Sequence, residues 1–274
     1  MVCALLVTGC QRKDAMPIPS SGLQLWLKAD EGVTISGSRV LRWKDRSGKG
    51  NDAFELNTKR QPTYVEDALG GKPAIRFDGT DDRLGLTGSS KMSSISLFLV
   101  VKLDSGAARA KNYLVPILFG NRYNDGEEYG LGTDLDYSYR VPDHLKIFAG
   151  MSGGVTAYAA KCVAYGHWRN INVVTQDVMW KTTVRVNGVA ASMITYGVNM
   201  TVSVPLGNPN GKGRGALGTV DADEDAEKSA PTGTAKCEIA EVIVYDVALA
   251  DSTREAVERY LGQKYQLPPA VAEE

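Results

Sequence analysis

Ser94-Ile95-Ser96-Leu97-Phe98-Leu99-Val100-Val101-Lys102-Leu103-Asp104 is the stretch that decides the fold class. Ile95, Leu97, Leu99, Val101 and Leu103 are all apolar, and a period of two puts them on one face of a strand. Phe98 and Val100 make the other face apolar over the middle as well. A strand that is apolar on both faces belongs at the centre of a packed β structure. The texture spreads outward from there. Leu23, Leu25 and Leu27 alternate with Gln24, Trp26 and Lys28. Short runs recur near 74–78, 113–119, 145–149, 155–160, 168–175, 181–187 and 238–245, with Gly, Asn, Asp and Pro between them. Val184-Arg185-Val186-Asn187-Gly188-Val189 predicts a tight hairpin, because Asn-Gly tolerates the positive φ of a type I′ turn. The spacing predicts an all-β chain, a two-sheet antiparallel jelly-roll sandwich.

One helix is expected. Ser252-Thr253-Arg254-Glu255 reads as a capping box, followed by Val257, Tyr260, Leu261 and Tyr265 on one helical stripe. Pro268-Pro269 bars its continuation, and the helix is expected against the sandwich edge. Residues 207–235 break the rhythm with Gly, Lys212 and Arg214, then Asp221, Asp223, Glu224, Asp225 and Glu227; a loop of this length is either functional or disordered.

The 274 residues are 43% hydrophobic, enough for a substantial core, and the formal charge is −1 with no basic stripe, which argues against nucleic acid as a partner. No run reaches the roughly 18 apolar residues a membrane-spanning helix needs. At the start, Val7-Thr8-Gly9-Cys10 follows the apolar Ala4-Leu5-Leu6. This resembles the lipobox of bacterial lipoproteins, where the chain is cut before the Cys and the sulfur takes a lipid. The resemblance implies a signal peptide over 1–9, lipidation of Cys10 and a membrane attachment through that lipid. The polar segment 10–22, with Pro17 and Pro19, reads as a tether. Residues 23–267 are the domain and 268–274 a tail. Gln11 after the Cys implies the outer membrane of a bacterial envelope, with secretion as the alternative; a chance apolar start of a cytosolic chain is the competing reading. Cys162 and Cys237 remain as an even pair, either a disulfide or two separate buried thiols.

Several phrases line up in order: Leu25-Trp26-Leu27-Lys28-Ala29-Asp30, Trp43-Lys44-Asp45-Arg46-Ser47-Gly48-Lys49-Gly50-Asn51-Asp52-Ala53, Arg76-Phe77-Asp78-Gly79-Thr80-Asp81-Asp82, the strand at 94–103, the Val186-Asn187-Gly188 hairpin, and Glu238-Ile239-Ala240-Glu241-Val242-Ile243-Val244-Tyr245-Asp246. Together they resemble the bacterial laminin-G-like domains of the concanavalin A-like lectin/glucanase superfamily. The resemblance covers residues 23 to about 266 and implies two stacked antiparallel sheets, one of them concave. It leaves function open, because one fold hosts lectins, glucanases, lyases and spacers.

The candidate chemistry favours binding. A glycosidase needs two carboxyl groups on one face, roughly 5–9.5 Å apart. The Glu-x-Asp-x-x-Glu strand of glucanases of that superfamily is missing, and Glu238 and Glu241, three apart in a strand, are expected on opposite faces. Asp134 and Asp136 share a face but read as a solvated turn. Trp26 and Trp43 are expected in the core, while Trp168 and Trp180 are open between core and exposed sugar platform. Tyr123, Asn124, Asp125, Glu127 and Tyr129 have glycan-binding chemistry, aromatic faces beside hydroxyl acceptors; the same stretch also reads as a plain polar hairpin. Asp78, Asp81 and Asp82 could hold a structural Ca2+ through carboxylate oxygens, or simply cap turns. The expected role is non-catalytic binding of a glycan or a surface glycoprotein. A glycoside hydrolase or polysaccharide lyase of the same fold, or a protein-binding adhesion module, are the alternatives.

Overall fold

The computed structural model describes residues 17–88, 91–104, 117–122, 128–134, 144–149, 155–160, 162–197, 204–205, 215–219 and 234–268. The chain opens with β1 (Leu23–Lys28), β2 (Val33–Ser36), β3 (Arg39–Trp43), β4 (Ala53–Phe54), β5 (Thr63–Leu69), β6 (Lys72–Asp78), β7 (Leu84–Leu86) and β8 (Lys91–Met92). The middle holds β9 (Ile95–Leu103), β10 (Ile117–Arg122), β11 (Glu128–Asp134), β12 (His144–Ala149), β13 (Val155–Ala159) and β14 (Trp168–Thr175). After these come β15 (Thr182–Val186), β16 (Val189–Ala190), β17 (Met193–Gly197), β18 (Val204–Pro205), β19 (Ala216–Leu217) and β20 (Lys236–Tyr245), and then α1 (Asp251–Tyr265).

Among the named strands every pairing is antiparallel, and all but β8 and β18 join one curled sheet. One run goes from β1 and β6 through β20, β9, β14 and β15 to β16. The other goes from β2 through β3, β4, β7, β19, β10, β11 and β12 to β13 and β17. β5 bonds to β6 on one side and touches β3 on the other, so it joins the two runs. Ile95, Leu97, Leu99, Val101 and Leu103 point into the core the curl encloses. They meet Ile171 and Val173 of β14 there, together with Leu145 and Ile147 of β12 and Trp43 and Phe77.

β9 is central, flanked by β20 and β14, as its two apolar faces predict. Its outer face is covered by α1 and not left at a sheet edge: Phe98 and Val100 cluster with Trp26, Ile243, Tyr245, Val257, Leu261 and Tyr265. The helix therefore lies across the outer face of β1, β20 and β9, a correction to the expected edge position. The stripe of Val257, Leu261 and Tyr265 is the side that docks. The capping box does not form. The helix begins at Asp251 after Ala250, with no side-chain cap, and Asp251 accepts from Arg254 Nη1 at 2.5 Å. Ile18, 3% exposed, inserts into the same outer cluster, and Tyr245 Oη donates to Pro19 O at 2.9 Å.

Local chemistry holds the turns as their residues demand. Asn187 and Gly188 take φ of +46° and +82° between β15 and β16. Asp45 accepts from the backbone N–H of Trp26, Ser47 and Asn51 and from Ser47 Oγ, and Asp52 accepts from the N–H of Asp45. A carboxylate with this many donors replaces a missing backbone partner for three separate segments. The Trp43–Ala53 phrase is thus a turn knotted around the buried Asp45 and Asp52, which serve the fold. Trp26 and Trp43 are core, as expected.

Cys162 and Cys237 are free and buried, so the disulfide reading is corrected. Cys162 donates to Ala160 O at 3.2 Å in the turn after β13, while Cys237 is locked in β20 opposite Phe77 and Leu103. Burial raises the Cys162 thiol to about 11. Cys237 is pushed further up, by burial first and then by the charges of Glu238 and Asp82. Neither is poised to ionise near neutrality.

Candidate functional site

The Asp78-Gly79-Thr80-Asp81-Asp82 turn leaves the end of β6, beside β20. Asp78 Oδ1 accepts from the N–H of Thr80 at 2.7 Å and of Asp81 at 3.3 Å, an Asx turn. Gly79 takes φ +79°, and a Cβ there would fall 2.7 Å from Lys236 Cβ, so only glycine lets the turn lie on β20. Thr234 Oγ1 clamps it from outside, donating to Gly79 O at 2.7 Å. Gly218, at φ +82°, sits beneath; a Cβ on it would lie 2.4 Å from Phe77 Cδ1 and 3.0 Å from Asp82 O.

This scaffold brings the three sequence-predicted aspartates together. One oxygen from each of Asp78, Asp81 and Asp82 lies within 4.8 Å of the others. Asp78 is exposed, Asp81 half-buried, and Asp82 only 2% exposed. Asp82 Oδ2 accepts from the N–H of Asp78 at 3.0 Å, but its buried Oδ1 has no hydrogen-bond partner. Arg39 is the cation ion-paired with it among the described residues; its Nη1 is 3.6 Å from Oδ1 and donates instead to Gln61 O at 2.7 Å. Burial raises the Asp82 carboxyl to about 7, with the neighbouring Asp78 charge adding to it. A buried carboxylate oxygen without a donor is costly, and either a proton or a cation removes the cost. The donor set, all carboxylate oxygen, is the chemistry of a hard cation such as Ca2+.

The other expectations divide. Tyr123, Asn124, Asp125 and Glu127 lie outside the described residues, as do Cys10 and the 1–9 segment. Tyr129 is in β11, opposite Asn121 and Ala149. Glu238 and Glu241 overturn a parity expectation. A β-bulge between Ile239 and Glu241, where β20 exchanges β6 for β1, inserts one residue. Ile239 and Val242 then both face the core, and Glu238 and Glu241 both face outward. Both are spoken for. Glu238 pairs with Arg76 and with Lys102, whose ammonium also stands 5.5 Å from the Trp168 ring centroid. Glu241, 1% exposed, accepts from Trp26 Nε1 at 2.6 Å, Tyr260 Oη at 2.9 Å, Tyr265 Oη at 2.8 Å and Lys264 Nζ at 2.7 Å. Burial and the Glu241 charge, to which both hydroxyls donate, raise the Tyr260 and Tyr265 phenols far above their ordinary range. Carboxylates held by four donors or two cations serve as anchors of the fold.

The two undecided tryptophans separate. Trp168 is half-buried and donates through Nε1 to Ala68 O at 3.1 Å. Trp180 is 52% exposed. No signal in the sequence told them apart, because exposure there depends on which strands curl over the turn.

No protein-family model matches the chain, and no curated protein matches it. Solved structures do. Domain 4 of AbnA, a GH43 extracellular arabinanase from Geobacillus stearothermophilus in complex with arabinotriose, aligns with TM-score 0.52 at 16% identity, covering 86% of this chain and 98% of that one. Trypanosoma rangeli sialidase, as its covalent intermediate with 2,3-difluorosialic acid, aligns with TM-score 0.55 at 15% identity, over 90% of this chain but 34% of the sialidase. The binding domain of Botulinum neurotoxin DC in complex with SialylT gives 0.51 at 10% identity, over 88% and 52%. The chain thus spans about a third of the sialidase and half of the toxin fragment. At these identities the likeness is one of fold, a curled antiparallel β architecture that recurs in carbohydrate-active and carbohydrate-binding proteins.

Proposed function

We propose that this chain is a non-catalytic carbohydrate-binding domain, a laminin-G-like jelly-roll sandwich of the concanavalin A-like kind, carried on a bacterial envelope lipoprotein through Cys10. The observation that carries the binding reading is the company of the fold: an arabinanase domain with arabinotriose and a toxin binding domain with a sialylated ligand share it over most of this chain. The sealing of Glu238 and Glu241 supports binding over hydrolysis, because the one same-face pair found among the described glutamates of β20 is committed to cations and phenols. Asp78, Asp81 and Asp82 would hold one Ca2+, with further oxygens from backbone or water making up the roughly six to eight that ion takes. The ion would neutralise Asp82 and stiffen the turn that joins β6 to β7. Tyr123, Asn124, Asp125, Glu127 and Tyr129 remain candidate glycan contacts by their chemistry.

Electrophoresis of the chain through gels containing arabinan, sialylated glycoprotein or other polysaccharides tests the reading. Retarded migration is the expected result. At pH 8, millimolar Ca2+ is expected to raise the thermal midpoint and chelator to lower it below that of Asp82→Asn, which responds to neither. Unretarded migration on every polymer counts against carbohydrate binding, and indifference of the midpoint to Ca2+ counts against the metal.

A further inference from the structure

The chain enters the folded body at one end of the sheet, and strand register fixes what else lies there. Leu23 of β1 stands opposite Tyr245 of β20, Tyr245 opposite Ser96 of β9, Ser96 opposite Val174 of β14, and Val174 opposite Thr183 of β15. Three connections leave this end of the row: the entry segment before β1, the β20–α1 loop at 246–250 and the β14–β15 turn at 176–181. The entry segment is fastened to its neighbour. Tyr245 Oη holds Pro19 O, Gly22 O accepts from the N–H of Asp246 at 2.9 Å, and a Cβ on Gly22 would lie 3.0 Å from Val247 Cγ2. Ser96 Oγ pins the 246–250 loop, donating to Val247 O at 2.8 Å and accepting from the N–H of Leu249 at 2.9 Å.

This end displays apolar side chains on fixed backbone. Val247 is 41% exposed and Trp180 52%, and Pro17 and Ala250 are exposed beside the same connections. Met179, fully buried, roots the 3-10 turn that carries Trp180. Two to three strand spacings put the Val247 and Trp180 connections roughly 10–14 Å apart. The charges at this end are balanced: Asp177 pairs with Lys181 at 3.0 Å, Asp251 with Arg254 at 2.5 Å, and Asp246 accepts from Gln24 Nε2 at 2.7 Å. An indole and an aliphatic side chain without excess charge suit the headgroup level of a bilayer, where tryptophan keeps its apolar body toward the acyl chains and its polar edge in water.

The chain before the entry segment says what covers this end. Cys10 precedes Pro17 by seven residues, a reach of at most roughly 25 Å. β20 alone, ten residues from Lys236 to Tyr245, is roughly 30 Å long. Lys236, at its far end, stands opposite Asp78 of the aspartate turn. A lipid on Cys10 therefore holds the Tyr245 end of the sheet nearer the bilayer than the Asp78 end.

We infer, resting on the lipid-anchor reading, that the Tyr245 end of the sheet is a membrane-contact surface, with Trp180 and Val247 seated at the headgroup level of the bilayer that the Cys10 lipid enters. The aspartate turn then faces away from the membrane, on the side open to a polymer.

The test is fluorescence quenching by brominated phosphatidylcholine. The full chain is recovered from bacterial membranes and reconstituted into vesicles of phosphatidylcholine, either plain or brominated on the acyl chains close to the headgroup. The wild type is expected to float with the vesicles and to lose emission in the brominated ones. Trp180→Phe is expected to abolish that loss while unfolding at the wild-type urea midpoint. Two transplanted indoles make the result independent of that one variant. In the Trp180→Phe background, Val247→Trp is expected to restore the quenching. Leu56→Trp is expected not to, because Leu56, though 69% exposed, lies on the loop bonded to Arg83 beside the aspartate turn. Equal emission in the two kinds of vesicle for a wild-type chain that floats overturns the contact surface and leaves the anchor standing, and so does quenching of Leu56→Trp to the level of Val247→Trp. A chain that neither floats nor carries added lipid mass on Cys10 overturns the anchor and the contact surface together.

Discussion

Glu241→Ala is expected to destabilise the chain by about 3–5 kcal/mol, the cost of breaking a buried charge cluster by removing one partner. In a protein of this size each kcal/mol is about 2–4 °C of thermal midpoint, so a fall of roughly 10 °C is expected. The substitution strands Trp26 Nε1, the hydroxyls of Tyr260 and Tyr265 and the Lys264 ammonium under α1. Two of these donors have a second acceptor: Lys264 Nζ has Asp30 at 3.0 Å and Tyr265 Oη the more distant Ala240 O at 3.4 Å. The helix covers Phe98, Val100, Ile243 and Tyr245, so its loosening uncovers the outer apolar cluster as well. Glu241→Gln keeps the shape and some of the acceptor capacity and is expected to lose less, about 1–3 kcal/mol. Urea unfolding followed by fluorescence and by circular dichroism reads both. A loss under 1 kcal/mol for Glu241→Ala would mean that the helix is held by its apolar stripe alone.

The second large effect concerns Asp82. Its carboxyl is raised from 3.8 to about 7 by burial. Between those two values the folded chain keeps a proton that the unfolded chain releases. Stability supplied by the neutral form is therefore complete below about 4 and is lost as pH rises through 7. A rise of this size is worth about 4 kcal/mol. Asp82→Asn holds the neutral form at every pH and keeps an oxygen for the Asp78 N–H. Without metal, the variant is expected to match the wild type at pH 4 and to exceed its stability by about 4 kcal/mol at pH 8. Taking the difference between the two chains at each pH cancels the titration of other carboxylates. With Ca2+ the wild type is expected to recover most of that gap at pH 8 while the variant gains nothing. A difference that stays flat from pH 4 to pH 8 would show that Asp82 is solvated or paired in solution.

The alternation at Ile95–Leu103 announced the central strand, because a period of two is a local property of the chain. The cover over its outer face was not legible, since a second sheet and a helix bury an apolar strand face equally well. The stripe Val257, Leu261 and Tyr265 was readable, but its docking place was not. The capping box did not form because the helix starts one residue earlier than the box requires, at Asp251, which puts Ser252 inside the first turn. Glu238 and Glu241 illustrate the same limit in a strand. A β-bulge shifts the parity of everything after it, and a bulge is set by the exchange of partner strands, which no window along the chain contains. The aspartate turn was legible as a cluster through its spacing. That one of the three would be buried with an orphaned oxygen depended on Gly218 and Arg39, from distant parts of the chain.

The central claim is binding of carbohydrate without turnover. Incubating the full chain with an immobilised oligosaccharide panel and measuring retained protein and newly released reducing or unsaturated ends in the same wells tests it most directly. Retention on at least one glycan is expected, with no product above the no-protein control. Release of product that scales with protein concentration, or no retention on any glycan, would contradict it.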